Sequence, residues 1–449
     1  MEVVMERKIA KELLTFIAQS PSTFHAVQSI TDILDQNGFH RLSECGQWTL
    51  APGKYYVTRN RSSVAAFYIP EHEFSNYQII ACHSDSPAFK IKEHGEIVVD
   101  RAYTKLNTEV YGGMLFAPWF DRPLSVAGRV LVREDTRLVT KLVNVDRDLL
   151  VIPNLAIHMN REINSGYTYN AQKDLLPLFG DENAKGTLMD IIAESAGVSR
   201  ASIAGSDLFL YNRMAGTIWG SDGEFLSAPR LDDLQCTFAS LKGFLCADNP
   251  DCVSLFTVLD NEEVGSSTKQ GAASPFLSDV LRRINRTLGG DEEDYCVRLA
   301  NSFMVSADNA HAVHPNHPDK SDPENRVYPN RGIVIKCSAN QKYTTDGVSS
   351  AIFRTICERA KVPYQIFANR SDMAGGSTLG SISNTQVAVN TVDIGLAQLA
   401  MHSPYETGGV RDTCFMSAAA EAFYHTRISC EADGVYVVHQ ADHRRQSPV

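Results

Sequence analysis

The sequence predicts an α/β fold: a mostly parallel central sheet flanked by helices, with a β-rich domain inserted into it. Three observations predict this. Short apolar runs end abruptly in polar residues, as in "LFTVLDNEEVGS" (255–266), which is how strands covered on both faces read. Such runs alternate with stretches of helical period, the pattern of parallel sheets. Between about 97 and 215 the texture changes to short β-type runs, "GRVLVRE" and "RLVTKLVNV", broken by Gly, Pro and Asp.

Taken in order, "RKIAKELLTFIAQ" and "FHAVQSITDILDQNG" carry apolar residues at helical spacing. Ser22 and Thr23 are candidate N-caps of the second helix, and Gly38 stops it. "YQIIAC" (77–82) is a strand that ends at His83. After about 217 the alternation resumes. "DDLQCTFASLKGFLCAD" and "GVSSAIFRTICERA" read as helices, and "CVSLFTVLD", "NSFMVSAD", "GIVIKC" and "VAVNTVDIG" as strands. The domain assignment is therefore 1–90 and 218–449 for one α/β domain, split by an insert over 91–217.

A chain of 449 residues is long enough for two or three domains, and 43% hydrophobic content is that of a globular protein. A formal net charge of −11 without any basic stripe argues against nucleic acid. No segment has the ~20 apolar residues that a membrane helix needs, and the N-terminus lacks a secretory pattern. The ten cysteines form no C-x-x-C pair, and most lie in apolar runs, so the expectation is a reduced, cytoplasmic protein.

Active sites of such sheets collect at the carboxyl ends of strands. Here those ends give His83 and Asp85 in "ACHSDSP", Asp260, Glu262 and Glu263 in "VLDNEEVGS", Asp308 in "VSADNAH", and His402 in "LAMHSPYE". Asp232 and Asp233 in "PRLDDL" stand where a helix begins. Each has an ordinary explanation: a hydrogen-bonded histidine, a helix cap, a solvated turn. Together they place imidazoles and carboxylates at one edge of one sheet. Carboxylates held together raise one another's pKa unless cations neutralise them. Three against two divalent ions leave roughly one positive charge, enough to acidify a shared water. Nitrogen and oxygen ligands without thiolate suit Zn²⁺, with Mn²⁺ or Co²⁺ as substitutes.

"ACHSDSP", "PRLDDL", "LDNEEVGS", "SADNAHAVHPN" and "LAMHSPYETG", in that order, resemble the M18 aspartyl aminopeptidases, di-zinc metallopeptidases, over nearly the whole chain. The resemblance implies a zinc-peptidase-like catalytic domain carrying an inserted β-rich dimerisation domain. It implies His83, Asp232, Glu263, Asp308 and His402 as metal ligands, with Asp232 bridging two Zn²⁺. Asp85 would fix the His83 tautomer, and Glu262 would be the general base. Some family members have Asn where this chain has Asp233, which is expected beside the ligands rather than among them. Asp260 is expected to be structural. The reaction implied is hydrolysis at a free peptide N-terminus, releasing Asp, then Glu.

His158 in "NLAIHMNR" matches a histidine that the family's insert presents to a neighbouring subunit's active site, where it stabilises an oxyanion. Lys336 lies on an apolar strand, where an ammonium needs a partner; the matching family lysine meets the substrate's acidic side chain. Lys342 is a second candidate. Gly375 and Gly376 in "NRSDMAGGSTLG" are expected in the substrate-pocket wall; no lysine follows them as a phosphate loop requires. The family also implies a homo-oligomer, a dodecamer built from dimers. The alternatives are the same fold with a neutral-residue preference, a di-metal deacylase or carboxypeptidase, and a catalytically silent assembly protein.

Overall fold

Successive side chains of a strand point to opposite faces, so a strand buried on both sides must be apolar throughout. Every residue of Cys252–Leu259 is buried. Phe256 and Val258 join one apolar cluster, and Leu255 and Leu259 join another. Asn76–His83 divides the same way, with Ile80 and Cys82 on one side and Ile79 and Ala81 on the other. The computed structural model, which describes residues 2–440, accordingly has helices on both faces of a central sheet. Glu2–Ala18, Thr23–Gln36, Leu231–Phe244, Gly347–Ala360 and Asp412–Tyr424 contribute to the first cluster; Phe276–Thr287 and Leu379–Ser383 contribute to the second.

The sheet has nine strands, in the spatial order His40–Leu42, Gly53–Arg59, Ser63–Ile69, Cys252–Leu259, Asn76–His83, Phe303–Ala307, Asn390–Gly395, Ile333–Cys337 and Tyr364–Ala368. Its middle is parallel: Cys252–Leu259, Asn76–His83, Phe303–Ala307 and Asn390–Gly395 all run the same way. Antiparallel pairings enter around Ser63–Ile69 and between Asn390–Gly395 and Ile333–Cys337. The hairpin 53–69 has no counterpart in the sequence reading. Its left-handed Asn60 and Arg61 make the turn. Ser22 caps less than expected: its hydroxyl meets His25 Nδ1 at 2.8 Å and makes no side-chain bond to the helix backbone.

Residues 88–212 build a separate six-stranded sheet with antiparallel pairings throughout, in the order Arg137–Asn144, Leu124–Glu134, Ile203–Asn212, Ala88–Val99, Tyr103–Tyr111, Leu178–Asp181. It has its own apolar cluster, around Phe89, Trp119, Leu124, Val130 and Leu208. The chain leaves and re-enters on adjacent strands, since Phe209 pairs with Lys90 and Leu210 with Phe89. Arg129 ties this sheet back to the hairpin, donating to the Asn60 carbonyl at 2.7 Å. A five-stranded sheet, containing Phe225–Ala228, Glu406–Gly409 and Ala397–Leu399, covers the carboxyl ends of the central strands. No helix among the described residues is long and apolar enough to cross a membrane.

Gly395 shows how tightly these strand ends fit. A Cβ there would stand 1.9 Å from the Asp308 carbonyl oxygen and 3.1 Å from Lys336 Cε. Overpacking of a filled interior costs about 1–3 kcal/mol, and backbone cannot rotate away as a side chain can. Gly395→Ala is expected to cost about 2 kcal/mol or more in urea or thermal unfolding. An unchanged midpoint would mean that the strand ends have slack.

Candidate metal centre

Register brings the chemistry to one level. His83 pairs with Leu259, Ala81 with Ser306, and Ala307 with Ile394, so neighbouring parallel strands end together. The residues just beyond those ends are Asp85, Asp260 to Glu263, and Asp308. Asp232 and Asp233 depart from helical φ/ψ at the start of Leu231–Phe244, which turns them towards the same edge. His402 arrives from the covering sheet on a turn with φ of +64°.

Three overlapping groups of possible ligands result: His83 with Asp232, Asp233 and Asp308; Asp232 with Glu263 and His402; and His83 with Glu262 and Glu263. Within each group the ligand atoms lie within 4.8 Å of one another. His83 Nε2 is 3.3 Å from Asp232 Oδ1 and 3.7 Å from Asp308 Oδ1. His402 Nε2 is 3.3 Å from Glu263 Oε2 and 3.6 Å from Asp232 Oδ2. Asp232 thus offers one oxygen to each histidine.

The donor set fits a divalent cation. Asp232 Oδ1, Asp233 Oδ1 and Glu263 Oε1 are buried and have no hydrogen-bond partner, a costly state for carboxylate oxygens unless a cation satisfies them. Burial, reinforced by Asp232, pushes the Glu263 carboxyl well above its ordinary range. Burial also raises Glu262 to about 8; His83 opposes this, while Asp308, Asp85 and Asp232 add to it. Burial alone would lower His83, but the carboxylates of Asp232, Asp308 and Asp85 outweigh it and hold the imidazole well above 6.5. These carboxylates favour the protonated imidazole, so a cation held by His83 would compete with a proton. Asp308 goes the other way: burial would raise it, but Lys336 and His83 hold it below the usual range.

The supports of this cluster were only partly legible in the sequence. His83 Nδ1 lies 3.1 Å from the Asp85 backbone oxygen and 3.5 Å from its Oδ1. The Asp85 carboxylate accepts the backbone N–H of Glu262 at 3.1 Å and that of Glu263 at 3.2 Å. Asp233 Oδ2 accepts the His83 N–H at 3.1 Å. Asp260 is turned away, accepting from Thr23 Oγ1 at 3.1 Å and from the Asn261 N–H at 2.8 Å. Glu406 was missed altogether. Fully buried, it accepts the His402 N–H at 2.7 Å and the Asp232 N–H at 3.0 Å, so one carboxylate positions a candidate ligand from each of two elements. Its signal was its place in "LAMHSPYETG", four residues after His402.

The remaining candidates divide. Lys336 is buried with Nζ 3.3 Å from Asp308 Oδ2, which puts it at the cluster. Lys342 is exposed, and its carbonyl accepts the Thr378 N–H at 3.4 Å. Gly375 lies against the Asn369 side chain, and nothing comes within 4 Å of a Cβ built on Gly376. His158 is exposed on the second sheet's segment, between Ile157 and Met159, which are 48% and 74% exposed.

Replacing Glu406 by Gln leaves one acceptor where two N–H groups converge. Partners that orient ligands typically control about 10–100-fold in metal affinity. Glu406→Gln is expected to weaken Zn²⁺ binding by about that factor in a chelator-competition titration. Equal affinity would remove Glu406 from the cluster's support.

Residues 16–424 match the family model described as aminopeptidase I zinc metalloprotease (M18). A relative from Clostridium acetobutylicum named "Probable M18 family aminopeptidase 2" is 48% identical over 429 residues, covering 94% of this chain and 99% of its own. One of the same name from Stutzerimonas stutzeri is 38% identical over 429 residues, with the same coverage. Among solved structures, a chain of the Ape4 and Nbr1 complex is similar at a TM-score of 0.90 and 35% identity, covering 94% of this chain and 86% of that one. The S. cerevisiae mApe1 dodecamer is similar at 0.82 and 28%, covering 93% and 96%. This protein belongs to the aminopeptidase I (M18) family of zinc metalloproteases and is an aminopeptidase.

Proposed function

We propose that this enzyme removes acidic residues, Asp and then Glu, from peptide N-termini at a site holding two Zn²⁺. The observation that carries the reading is Asp232, whose two oxygens face different histidines. In this reading His83, Asp232 and Asp308 hold one ion, and Asp232, Glu263 and His402 hold the other. Mn²⁺ or Co²⁺ would fit the same donors. Bound there, zinc supplies Lewis acidity towards the scissile carbonyl and acidifies water to a pKa near ~7.

Glu262 falls in a group with His83 and Glu263 and is in neither of the two sets assigned to the ions here, and its carboxyl is pushed up to about 8 by burial. A carboxylate raised towards neutrality is suited to take a proton from water and return it to the leaving amine. Asp85 would keep Glu262 in place through the backbone. Surrounding carboxylates would take the substrate's α-ammonium, which accounts for attack at the chain end.

Lys336 is the proposed specificity residue. An ammonium has three donors, and Asp308 is the one acceptor it has among the described residues. A substrate carboxylate can take another. Gly375, Gly376 and the exposed Lys342 are proposed only as parts of the outer pocket wall. The boundaries proposed are a catalytic domain over 1–90 and 218–449 and a dimerisation insert over 91–217. Exposed Leu155, Ile157 and Met159 around His158 favour an interface there. His158 would then enter a neighbouring copy's site as an oxyanion donor, within a dodecamer of dimers like the mApe1 one. A cytoplasmic location accords with the free cysteines.

The test is a panel of Asp-, Glu-, Leu- and Lys-p-nitroanilides with zinc-loaded enzyme, beside Glu262→Gln and Lys336→Met. Glu262→Gln is expected to keep its zinc and lose about 10²–10⁴ in kcat, the usual contribution of a general base. Lys336→Met should lose the acidic substrates selectively. A wild-type preference for Leu keeps the mechanism and sinks the specificity. Zinc-loaded enzyme that cleaves none of the four sinks the acidic specificity and points to an N-terminal residue outside this panel.

A further inference from the structure

Glu262 and Glu263 stand on a single three-residue turn, Glu262–Val264, flanked by residues with positive φ: Asn261 at +62° and Gly265 at +95°. The turn's own bonds are few. Val264 N–H reaches the Asn261 carbonyl at 3.3 Å, and Gly265 N–H reaches that of Glu262 at 3.0 Å. Asn261 at its start is held by the Asp260 carboxylate and by Ser266, Thr268 and Gln270, whereas the two glutamate N–H groups are both accepted by the Asp85 carboxylate. A carboxylate turns readily about its last torsion, so something must set the plane of Asp85.

We propose that Tyr111, delivered by the second sheet, is a positioning residue for the aminopeptidase reaction: its hydroxyl fixes Asp85 and so sets the turn that presents Glu262 and Glu263. Tyr111 Oη lies 2.7 Å from Asp85 Oδ2 and 2.8 Å from Asn261 Nδ2. A phenol has one proton to give. The Asn261 Nδ2 group can only donate, because its Oδ1 accepts from Thr268 Oγ1 at 2.8 Å and from Gln270 Nε2 at 2.7 Å. The phenol oxygen therefore accepts from Asn261, and its proton points at Asp85.

The same hydroxyl touches the turn twice, through Asp85 and through Asn261 at its start. Topology explains how the second sheet reaches this point. Its first two strands, Ala88–Val99 and Tyr103–Tyr111, form a hairpin that returns the chain to its exit, pairing Tyr111 with Ala88. The tyrosine ring packs edge-on against Phe209 at 5.5 Å. Beyond it Gly112, at φ +78°, runs so close that a Cβ would meet that of Glu263 at 3.1 Å.

This inference rests on the roles proposed above for Glu262 and Glu263. The test is Tyr111→Phe, read by kcat and KM on the best p-nitroanilide and by amide hydrogen exchange over 261–265. Expected are a kcat lower by about 10–100-fold, the effect of losing a partner that orients a site, with KM within about threefold and faster exchange of the turn. Melting temperature and assembly size should stay as in the wild type. Because the hydroxyl acts through Asp85 and Asn261 on one turn, adding Tyr111→Phe to Asp85→Asn should slow the enzyme by much less than the product of the two single losses. Additive losses, or a kcat within twofold and unchanged exchange, would overturn the proposal. Should Tyr111→Phe not assemble, exchange over 261–265 is read in Asp85→Asn, which leaves the tyrosine ring in place; unchanged exchange there would overturn the proposal. The exchange result needs no turnover, so it is separable from failure of the Asp-p-nitroanilide assay.

Discussion

Carboxylates crowded into a buried site repel one another, and this molecule is organised around that repulsion. Asp232, Asp233, Glu263 and Asp308 converge on His83 and His402 where water is largely excluded and charges interact strongly. Three devices contain it. The carboxylates favour a proton on His83, Lys336 sits against Asp308, and the unpartnered oxygens suit divalent cations. Metal affinity, protonation and stability are therefore one linked quantity, since a cation that satisfies the cluster also relieves the strain of having gathered it.

The rest of the fold keeps the groups from moving apart. Paired parallel strands fix the level of His83, Asp260 and Asp308, and no side chain chooses that level for itself. Around them, backbone N–H groups are held by carboxylates that are not themselves candidate ligands. Glu406 holds Asp232 and His402, and Asp85 holds Glu262 and Glu263. Anchoring the backbone leaves carboxylate oxygens of Asp232, Asp233 and Glu263 without partners, which is the condition for binding a cation.

The sequence disclosed the fold and the cluster unevenly, for physical reasons. Strands buried on both faces are written in runs such as "LFTVLD", and the polar residues that end them stand out because water is absent on either side. His83, Glu263 and Asp308 were legible for that reason beside Asp85, Asp260 and Glu262, while Asp232 stood out at a helix start and His402 after a later strand. The family resemblance chose the five, which fall in overlapping groups in the structure. The hairpin 53–69 was less so, since "KYYVTRNRSSVAAFYI" mixes half-buried and buried positions without clean alternation. Glu406 and Tyr111 act through distant partners, separated by 174 residues for Asp232 and by 26 for Asp85. No local pattern records such a contact. Gly375 and Gly376 were legible only as a glycine-rich loop, and the structure sets Gly375 against the Asn369 side chain and leaves open space at Gly376.

The second sheet departs from and rejoins the body on two strands that lie side by side. A segment with adjacent ends can be exchanged for another without disturbing its host, as inserted domains in general can. Such freedom has a limit here. A chimera carrying a foreign insert would inherit a working sheet and still lack a hydroxyl beside Asp85, unless the graft also brought its own tyrosine to the point where the chain comes home.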